Sequence, residues 1–231
     1  MENELMLLDT HVHTSQVSPC GKVAALEMIE LYKEAGYDAV VITDHYHEWY
    51  FESLGDLPWE EKVQSFLSGY KSALERGKAL GVRVFLGMEI RFVKGPEDYL
   101  VYGLDGDYLI QNPNLHLYTL EEFRDHIQET GALIFQAHPF RVGQTPAPGN
   151  LLDGMEVHNA NPRHDSGNDK AYAYAKSNDL MMGSGSDAHR PEDVGRGGII
   201  VPRSVDSMEM FVKWYRQGPA GTGHIYKNYE A

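Results

Sequence analysis

Short apolar runs alternate along this chain with segments of helical periodicity, and no other feature limits the fold as strongly. Runs of strand length lie at about 5–10, 38–43, 82–88, 99–104, 132–137, 154–158 and 180–185, with a further one near 198–201. Strands that alternate with helices predict a parallel sheet covered by helices. Seven parallel strands in a chain of 231 residues indicate a TIM-like α/β barrel.

The helices follow the same rhythm, and several carry signals for where they begin. Helical segments are predicted at 23–36, 59–80, 119–131, 169–179 and 204–218. Thr119 and Glu122 have the spacing of a capping box, and Ser204 or Asp206 is expected to cap the last helix. The stretch 141–150, rich in glycine and proline, is expected to form a loop.

Length and charge narrow the class of protein. At this length we expect one domain, 1–231, and the composition indicates no particular oligomeric state. A net charge of −14 argues against nucleic acid and anionic membranes, which attract clustered lysine and arginine. The chain lacks a run of roughly 18 apolar residues, and its acidic start argues against a secretory signal. A cytoplasmic location is expected, and the single cysteine, Cys20, agrees with a reducing compartment.

Metal-binding side chains follow the apolar runs at their carboxyl ends. The first run ends in DTHVHT, where His11 and His13 share one strand face about 7 Å apart and can converge on one ion. The same pattern recurs in TDH, GME, AHP, MEVH and SDAH. Barrel enzymes have their active sites at the carboxyl ends of the strands, where these motifs are expected to lie. The candidates are His11, His13, His45, Glu89, His138, His158, Asp187 and His189.

These ligand types indicate which ions bind and what the ions do. Imidazole and carboxylate suit zinc, manganese or iron, and the set is too large for one four-coordinate ion. We therefore expect two or three divalent ions. Clustered ions can activate a bound water as a nucleophile, and they supply the positive charge that an acidic chain otherwise lacks. A small phosphorylated substrate, as the partner, would need this positive charge.

Taken as a set, five motifs resemble those of the PHP family, named for polymerase and histidinol phosphatase. They are HVH at 11–13, TDH at 43–45, GME at 87–89, AHP at 137–139 and GSDAH at 185–189. The resemblance covers nearly the whole chain. It implies a distorted seven-stranded (β/α)7 barrel with a multinuclear metal site at the carboxyl strand ends. It also implies a phosphoesterase that hydrolyses a small phosphomonoester with a metal-activated hydroxide, as a histidinol phosphatase does.

The resemblance further implies roles for individual residues. The implied metal ligands are His11, His13, His45, Glu89, His138, Asp187 and His189. Glu89 bridges the first position to a second ion at His138, and His45 with His189 binds a third. Asp187 anchors the catalytic ions, and His45 or His189 assists the leaving oxygen.

Two positions depart from the family pattern. Residues 18–19 replace an acidic residue or histidine that often follows HxH, with Gln16 and Cys20 nearby. Residues 98–100 replace a histidine on the strand after the glutamate. These departures predict that the second and third metal positions bind their ions weakly, have water in place of a ligand, or hold no ion. Gln16, Cys20 and His158 are the candidate replacements.

Two arginines and one histidine are candidate substrate contacts. Arg141 follows AHP and Arg190 follows SDAH, so both are expected to reach the metal site and clamp phosphate oxygens. His158 is expected either to contact substrate or to support a neighbouring ligand.

Three other functions compete with the phosphatase hypothesis. A TatD-like nuclease also begins with DTHxH, but it is expected to lack the histidine of SDAH and to need a basic groove. An amidohydrolase uses HxH with a late aspartate, usually in a longer chain without the glutamate of GME. A degenerate metal-binding domain without turnover is favoured by the two departures.

Overall fold

One curved sheet organises the chain. The computed structural model describes residues 5–218 and 224–227; the rest of the predicted domain 1–231 lies outside the described residues. The strands are β1 (Leu5–Val12), β2 (Ala39–Ile42), β3 (His45–Tyr46), β4 (Arg83–Arg91), β5 (Asp98–Tyr102), β6 (Leu133–Gln136), β7 (Gly154–Asn159), β8 (Met181–Gly185), β9 (Gly197–Pro202) and β10 (Ile225–Lys227). All eight predicted strand regions are confirmed, whereas β3 and β10 were not predicted.

The order of the strands makes the sheet a nearly closed, barrel-like structure. Along the sheet the order is β10-β9-β1-β2-β4-β5-β6-β7-β8, and β3 pairs with β4. Just past the end of β8, Ala188 forms a parallel bridge with Val12 of β1. This bridge brings the last strand of the series back to the first, so the carboxyl strand ends surround one opening.

The prediction of seven parallel strands is wrong, because β5 runs antiparallel to both β4 and β6. Only residues 92–97 join β4 to β5, and a parallel crossover needs a dozen or more residues. Six of the predicted strands (β1, β2, β4, β6, β7 and β8) share one direction. The amino end of β5, at Asp98 opposite Arg91, therefore lies at the same edge as their carboxyl ends.

Helices cover the sheet, and the last of them packs against aromatic side chains of the barrel interior. They are α1 (Ala25–Glu34), α2 (Glu48–Ser53), α3 (Trp59–Phe66), α4 (Ser68–Leu80), α5 (Gly106–Gln111), α6 (Leu120–Ile127), α7 (Asn168–Ser177) and α8 (Met208–Arg216). The single helix predicted at 59–80 divides at Leu67, where ψ is −2°. Neither α2 nor α5 was predicted. No described helix is long and apolar enough to cross a bilayer.

Of the two predicted helix caps, the one at α6 is confirmed and the one at α8 is wrong. Thr119 and Glu122 form the expected capping box at α6. The cap of α8 is Ser207 rather than Ser204 or Asp206, and its side chain accepts a hydrogen bond from the backbone N–H of Met210 at 3.2 Å. The chain makes a turn before this helix, with Val205 N donating to Pro202 O, so the helix begins later than predicted.

Aromatic side chains fill the barrel below the opening. Tyr102 and Phe135 pack with Phe211 and Tyr215 of α8, and all four are buried. Gly154 leaves room for this packing, because a Cβ there would lie 2.3 Å from the ring of Phe135. The resulting apolar floor separates the polar opening from the other end of the barrel.

Candidate metal centre

The seven residues predicted as metal ligands meet at the opening of the barrel. They come from β1, β3 and β4 and from the segments after β6 and β8; His189 is half-buried and the others are buried. The ligand set is His11, His13, His45, Glu89, His138, Asp187 and His189.

Glu89 lies at the centre of this cluster. One carboxylate oxygen, Oε1, is 3.4 Å from His11 Nε2 and 3.1 Å from His138 Nε2. The other, Oε2, is 3.4 Å from His13 Nε2 and 2.8 Å from His45 Nδ1. A carboxylate that faces four imidazoles with both oxygens has the arrangement of a bridging ligand.

Asp187 forms the second acidic contact. Its Oδ1 is 3.6 Å from His11 Nε2, 3.5 Å from His13 Nε2 and 3.3 Å from His189 Nδ1. The Oδ2 atom accepts a hydrogen bond from Arg141 at 2.7 Å. Asp187 thus has one oxygen toward the histidines and one toward an arginine.

Two of the ligand residues have unusual backbone conformations. The φ angles are +30° at His138 and +50° at Asp187, a region that residues other than glycine rarely adopt. Hydrogen bonds hold both segments, because Glu156 accepts from His138 N at 2.9 Å and Asn161 Nδ2 donates to Asp187 O at 2.9 Å. Strained backbone of this kind is concentrated at functional sites.

Hydrogen-bond acceptors on the far side of the histidine rings orient these rings, so that the other ring nitrogen faces the centre of the cluster. His11 Nδ1 lies 3.0 Å from Glu156 Oε1, and a carboxylate can only accept, so Nδ1 carries the proton. In the neutral form, which binds metal, the lone pair of His11 is then on Nε2, which faces Glu89 and Asp187. The sequence analysis did not single out Glu156; the signal was a glutamate inside an otherwise apolar strand.

The hydroxyl of Ser18 orients the ring of His13 in the same way. Ser18 Oγ donates its one proton to Asp44 at 2.8 Å, so it accepts from the neighbouring donors. These are His45 N at 3.1 Å and His13 Nδ1 at 3.3 Å. At a position where the family often has an acidic residue or histidine, Ser18 supports two ligands without facing the cluster itself.

The charges in the cluster compensate one another. Although burial lowers the pKa of His11, the carboxylates of Glu156, Asp187 and Glu89 raise it well above its usual range. Burial raises the pKa of both Glu89 and Asp187, but His11 and the neighbouring imidazoles bring it well below the usual range. Burial and two neighbouring imidazoles lower the pKa of His13, so it stays neutral, the form that binds metal.

The residues fit a group of divalent ions. Three sets have ligand atoms within 4.8 Å of one another and together cover all three implied positions: His11, His13, Glu89; Glu89, Asp98, His138; and His13, His45, His189. Buried atoms that lack a hydrogen-bond partner among the described residues include Nε2 of His11, Nε2 of His13 and Oε2 of Glu89. Buried polar atoms are normally satisfied, so these atoms are those expected to bind cations. The cluster is therefore able to bind metal ions.

Asp98 and Cys20 occupy the places left open by the two departures from the family pattern. Asp98 joins Glu89 and His138, and it also accepts two hydrogen bonds from Arg91 at 2.8 and 2.7 Å. Cys20 Sγ lies 3.2 Å from His45 Nε2. Burial opposes ionisation of this thiol, but hydrogen bonds with His189 and His45 lower its pKa to about 6. Gln16 faces elsewhere and accepts from Ala25 N.

A cavity of about 330 Å³ lies over the cluster and is lined on one side by arginines. Arg141 and Arg190 are both in its wall, as are Arg91 and Arg163. Arg141 also donates to Asn159 Oδ1 at 2.9 Å, whereas the nearest acidic partner of Arg190 is Glu192 at 3.7 Å. The acidic chain thus concentrates positive charge at this opening.

His158 lies apart from the other predicted site residues. Its Nδ1 is 3.0 Å from Ser184 Oγ, on the side of β7 that faces β8, and it is not among the residues described as lining the cavity. The strand has an irregular register between Glu156 and His158, which directs Glu156 rather than His158 toward the cluster. Among the described residues, no group of neighbouring ligand atoms includes His158, so the geometry does not favour it as a replacement ligand.

A larger cavity of about 910 Å³ lies beside α4 and α8, near the start of β4. None of its described lining residues is a histidine, and those lining residues include Leu74, Val82 and Met208. It offers none of the ligands found at the smaller opening, which is therefore the candidate site.

The fold and the cluster together define a metal-binding α/β barrel. A family model described as PHP domain matches residues 9–178, and one described as PHP-associated matches 165–219. The chain belongs to the PHP family.

Individual proteins resemble the chain in sequence or in fold. The chain is 37% identical over 97 residues to the uncharacterized protein MJ0417 of Methanocaldococcus jannaschii, covering 37% of this chain and 40% of that protein. It resembles the structure of a two-domain protein from Bacteroides vulgatus that contains a predicted PHP-like metal-dependent phosphoesterase (TM-score 0.63, 20% identity, 91% of this chain, 62% of the other). It also resembles the structure of PsfC from Pseudomonas syringae, with a TM-score of 0.60 and 20% identity. This similarity covers 85% of this chain and 82% of PsfC. The chain spans less than two thirds of the first two proteins.

Proposed function

We propose that this protein is a metal-dependent phosphatase that hydrolyses a small phosphomonoester. The observation that carries the proposal is Glu89, whose two oxygens face four imidazoles beneath a cavity walled by arginines. Family membership supports hydrolysis at a metal centre, and the arginines favour an anionic substrate.

Each ligand has a separate task in this proposal. His11, His13, Glu89 and Asp187 would hold the first ion, and His138 would share Glu89 at the second position. Divalent ions bound there would lower the pKa of a water to about 7 and neutralise charge on phosphoryl oxygens. The apolar floor below the cluster excludes bulk water from one side of the ligands.

Residues at the rim bind the substrate and handle protons. Arg190, with only a distant acidic partner, is the side chain most able to turn toward a phosphate. Arg141 holds Asp187 Oδ2 and lies in the cavity wall, where a phosphate oxygen can accept from its other nitrogens. His45 and His189 also line the cavity, and in protein whose third position holds no ion they would be able to give a proton to the leaving oxygen.

The size and charge of the opening favour a small substrate. A volume of about 330 Å³ is at the lower end of the range typical of small-molecule sites, roughly 300–1,000 Å³. A net charge of −14 also disfavours a nucleic acid. Membership of the PHP family favours phosphoester hydrolysis over the TatD-like and amidohydrolase alternatives. Histidinol phosphate is one substrate within the proposed class.

A substrate screen tests the proposal. The purified protein would be stripped of metal, reloaded with manganese, zinc or ferrous iron, and assayed for phosphate release from a panel of metabolite phosphomonoesters. We expect turnover of at least one phosphomonoester that exceeds turnover of a phosphodiester and of single-stranded DNA. Asp187→Asn should be inactive, whereas Asp125→Asn, the same change at an exposed site on α6, should keep full activity.

Two outcomes would overturn the proposal. Metal binding without turnover of any phosphomonoester would support the degenerate metal-binding domain instead. Cleavage of DNA in preference to every small substrate would support a nuclease.

A further inference from the structure

Cys20 is the residue whose position the proposed mechanism leaves unexplained. It lies in the cavity wall, exposed to solvent, with Sγ 3.2 Å from His45 Nε2. Backbone hydrogen bonds fix its loop on both sides, because Gly21 N donates to Ser18 O at 2.8 Å and Lys22 N to His189 O at 2.7 Å. The thiol is therefore held beside Nε2 of His45, the nitrogen that can share an ion with it, because Nδ1 of the same ring faces Glu89 Oε2 at 2.8 Å.

Three imidazoles next to Cys20 have the properties of a ligand group. The ring of His13 lies 4.2 Å from that of His189 and 4.4 Å from that of His45, measured between centroids. One ring nitrogen from each of the three lies within 4.8 Å of the other two. Nε2 of His13, fully buried, has no hydrogen-bond partner among the described residues.

The protonation of His189 leaves a nitrogen free for an ion. Its Nδ1 lies 2.9 Å from the backbone carbonyl of Asp187, which can only accept. In the neutral form, which binds metal, Nδ1 therefore carries the proton and the lone pair is on Nε2. The tautomer of His189 matches a metal ligand whose second nitrogen is fixed by a backbone acceptor.

We propose that Cys20 is a thiolate ligand of an ion at the third position, together with His45 and His189. On binding, the S–H bond breaks, its proton passes to solvent, and sulfur donates an electron pair to the ion. This inference rests on the metal-dependent function proposed above. Because thiolate is a softer ligand than carboxylate, the third position prefers zinc, cobalt or ferrous iron to manganese or magnesium.

Cobalt substitution tests the ligand directly. Metal-free protein would be titrated with Co(II) while the near-ultraviolet sulfur-to-cobalt charge-transfer band and the metal content are measured. Since Cys20 is the only cysteine in the chain, a thiolate band has one possible source. We expect the band in the natural protein and its complete loss in Cys20→Ser, with about one ion fewer per chain.

A second variant separates loss of the ligand from loss of the fold. Cys20→Asp restores a carboxylate, so it should lack the band, keep the full ion count and bind manganese more tightly relative to zinc. The far-ultraviolet circular dichroism of both variants should match the natural protein.

The outcomes for Cys20 are independent of those for turnover. Absence of the band in fully loaded natural protein, or an unchanged ion count in Cys20→Ser, would overturn the thiolate ligand even if phosphatase activity is present. A clear band in a protein that hydrolyses no phosphomonoester would support the thiolate ligand and contradict the proposed phosphatase.

Discussion

Glu156 controls the orientation of a ligand without facing the centre itself. Its Oε1 accepts from His11 Nδ1, while Oε2 accepts from His138 N and from Asn159 Nδ2 at 2.9 Å each. In Glu156→Gln an amide –NH₂ must face at least one of these donors. We expect metal affinity to fall by about 10- to 100-fold with little change in fold. Competition with a chelator measures this, and Glu129→Gln on the exposed surface is the matched control. Equal affinities in both variants would contradict the orienting role.

Asp98 supplies a carboxylate where a histidine is common in the family. It lies with Glu89 and His138, yet its oxygens also accept from Arg91. If Asp98 binds the second ion, Asp98→Asn should lower the metal content by about one ion per chain. The neighbouring change Glu97→Gln removes the same charge and should leave the content unchanged. A full ion count in Asp98→Asn would mean that Asp98 only holds Arg91.

Helix α4 packs against side chains that support the third position. A Cβ at Gly69, near the start of this helix, would lie 2.1 Å from Thr14 Oγ1 and 2.6 Å from Asp44 Oδ2. These atoms hydrogen-bond to each other, and Asp44 in turn holds Ser18. Alanine is normally the better helix residue by about 1 kcal/mol. Here we expect Gly69→Ala to destabilise the protein by about 1–3 kcal/mol because of this overpacking.

Urea unfolding measures the effect of Gly69→Ala, with Glu75→Ala on the exposed face of α4 as the control. A Gly69→Ala variant at least as stable as the natural protein would show that the helix moves away at no cost. The close packing of α4 against Asp44 would then not be needed to hold Ser18 and the ligands that Ser18 supports.

The strands show what the sequence could and could not predict. Apolar runs located all eight predicted strands, and the polar residues after them located the seven candidate ligands that the structure brings together, because both signals are local in the sequence. The direction of β5 was mispredicted, although its short connection to β4 was visible. The role of Glu156 depends on an irregular register, and the place of Cys20 depends on loop contacts with His189. Neither the role of Glu156 nor the place of Cys20 is therefore set by the local sequence.

For the molecule as a whole, stability depends on pH through histidines outside the centre. His116 is buried and stacks on Phe51, with ring centroids 5.2 Å apart. Burial, with a contribution from Lys62, lowers its pKa from 6.5 to about 4. The unfolded chain therefore binds more protons between these values, so stability is complete above pH 6.5 and falls as the pH drops toward 4.

This linkage predicts a measurable difference between two variants. At pH 5 the natural metal-free protein should lose about 2 kcal/mol relative to pH 7 through His116 alone. His116→Leu should lack this component, whereas His126→Leu, at an exposed histidine, should keep it. Urea unfolding at the two pH values checks the prediction, and an identical pH dependence in all three proteins would contradict it.

Stepwise return of metal to the metal-free protein tests metal-dependent phosphoester hydrolysis most directly. Hydrolysis of p-nitrophenyl phosphate and bound metal would be measured together as each equivalent of ion is added, in the natural protein and in Asp187→Ala. We predict no turnover without metal, activity that rises as two or three ions bind, and an inactive Asp187→Ala that binds fewer ions. Turnover that survives complete removal of metal, or that is unchanged in Asp187→Ala, would contradict this function.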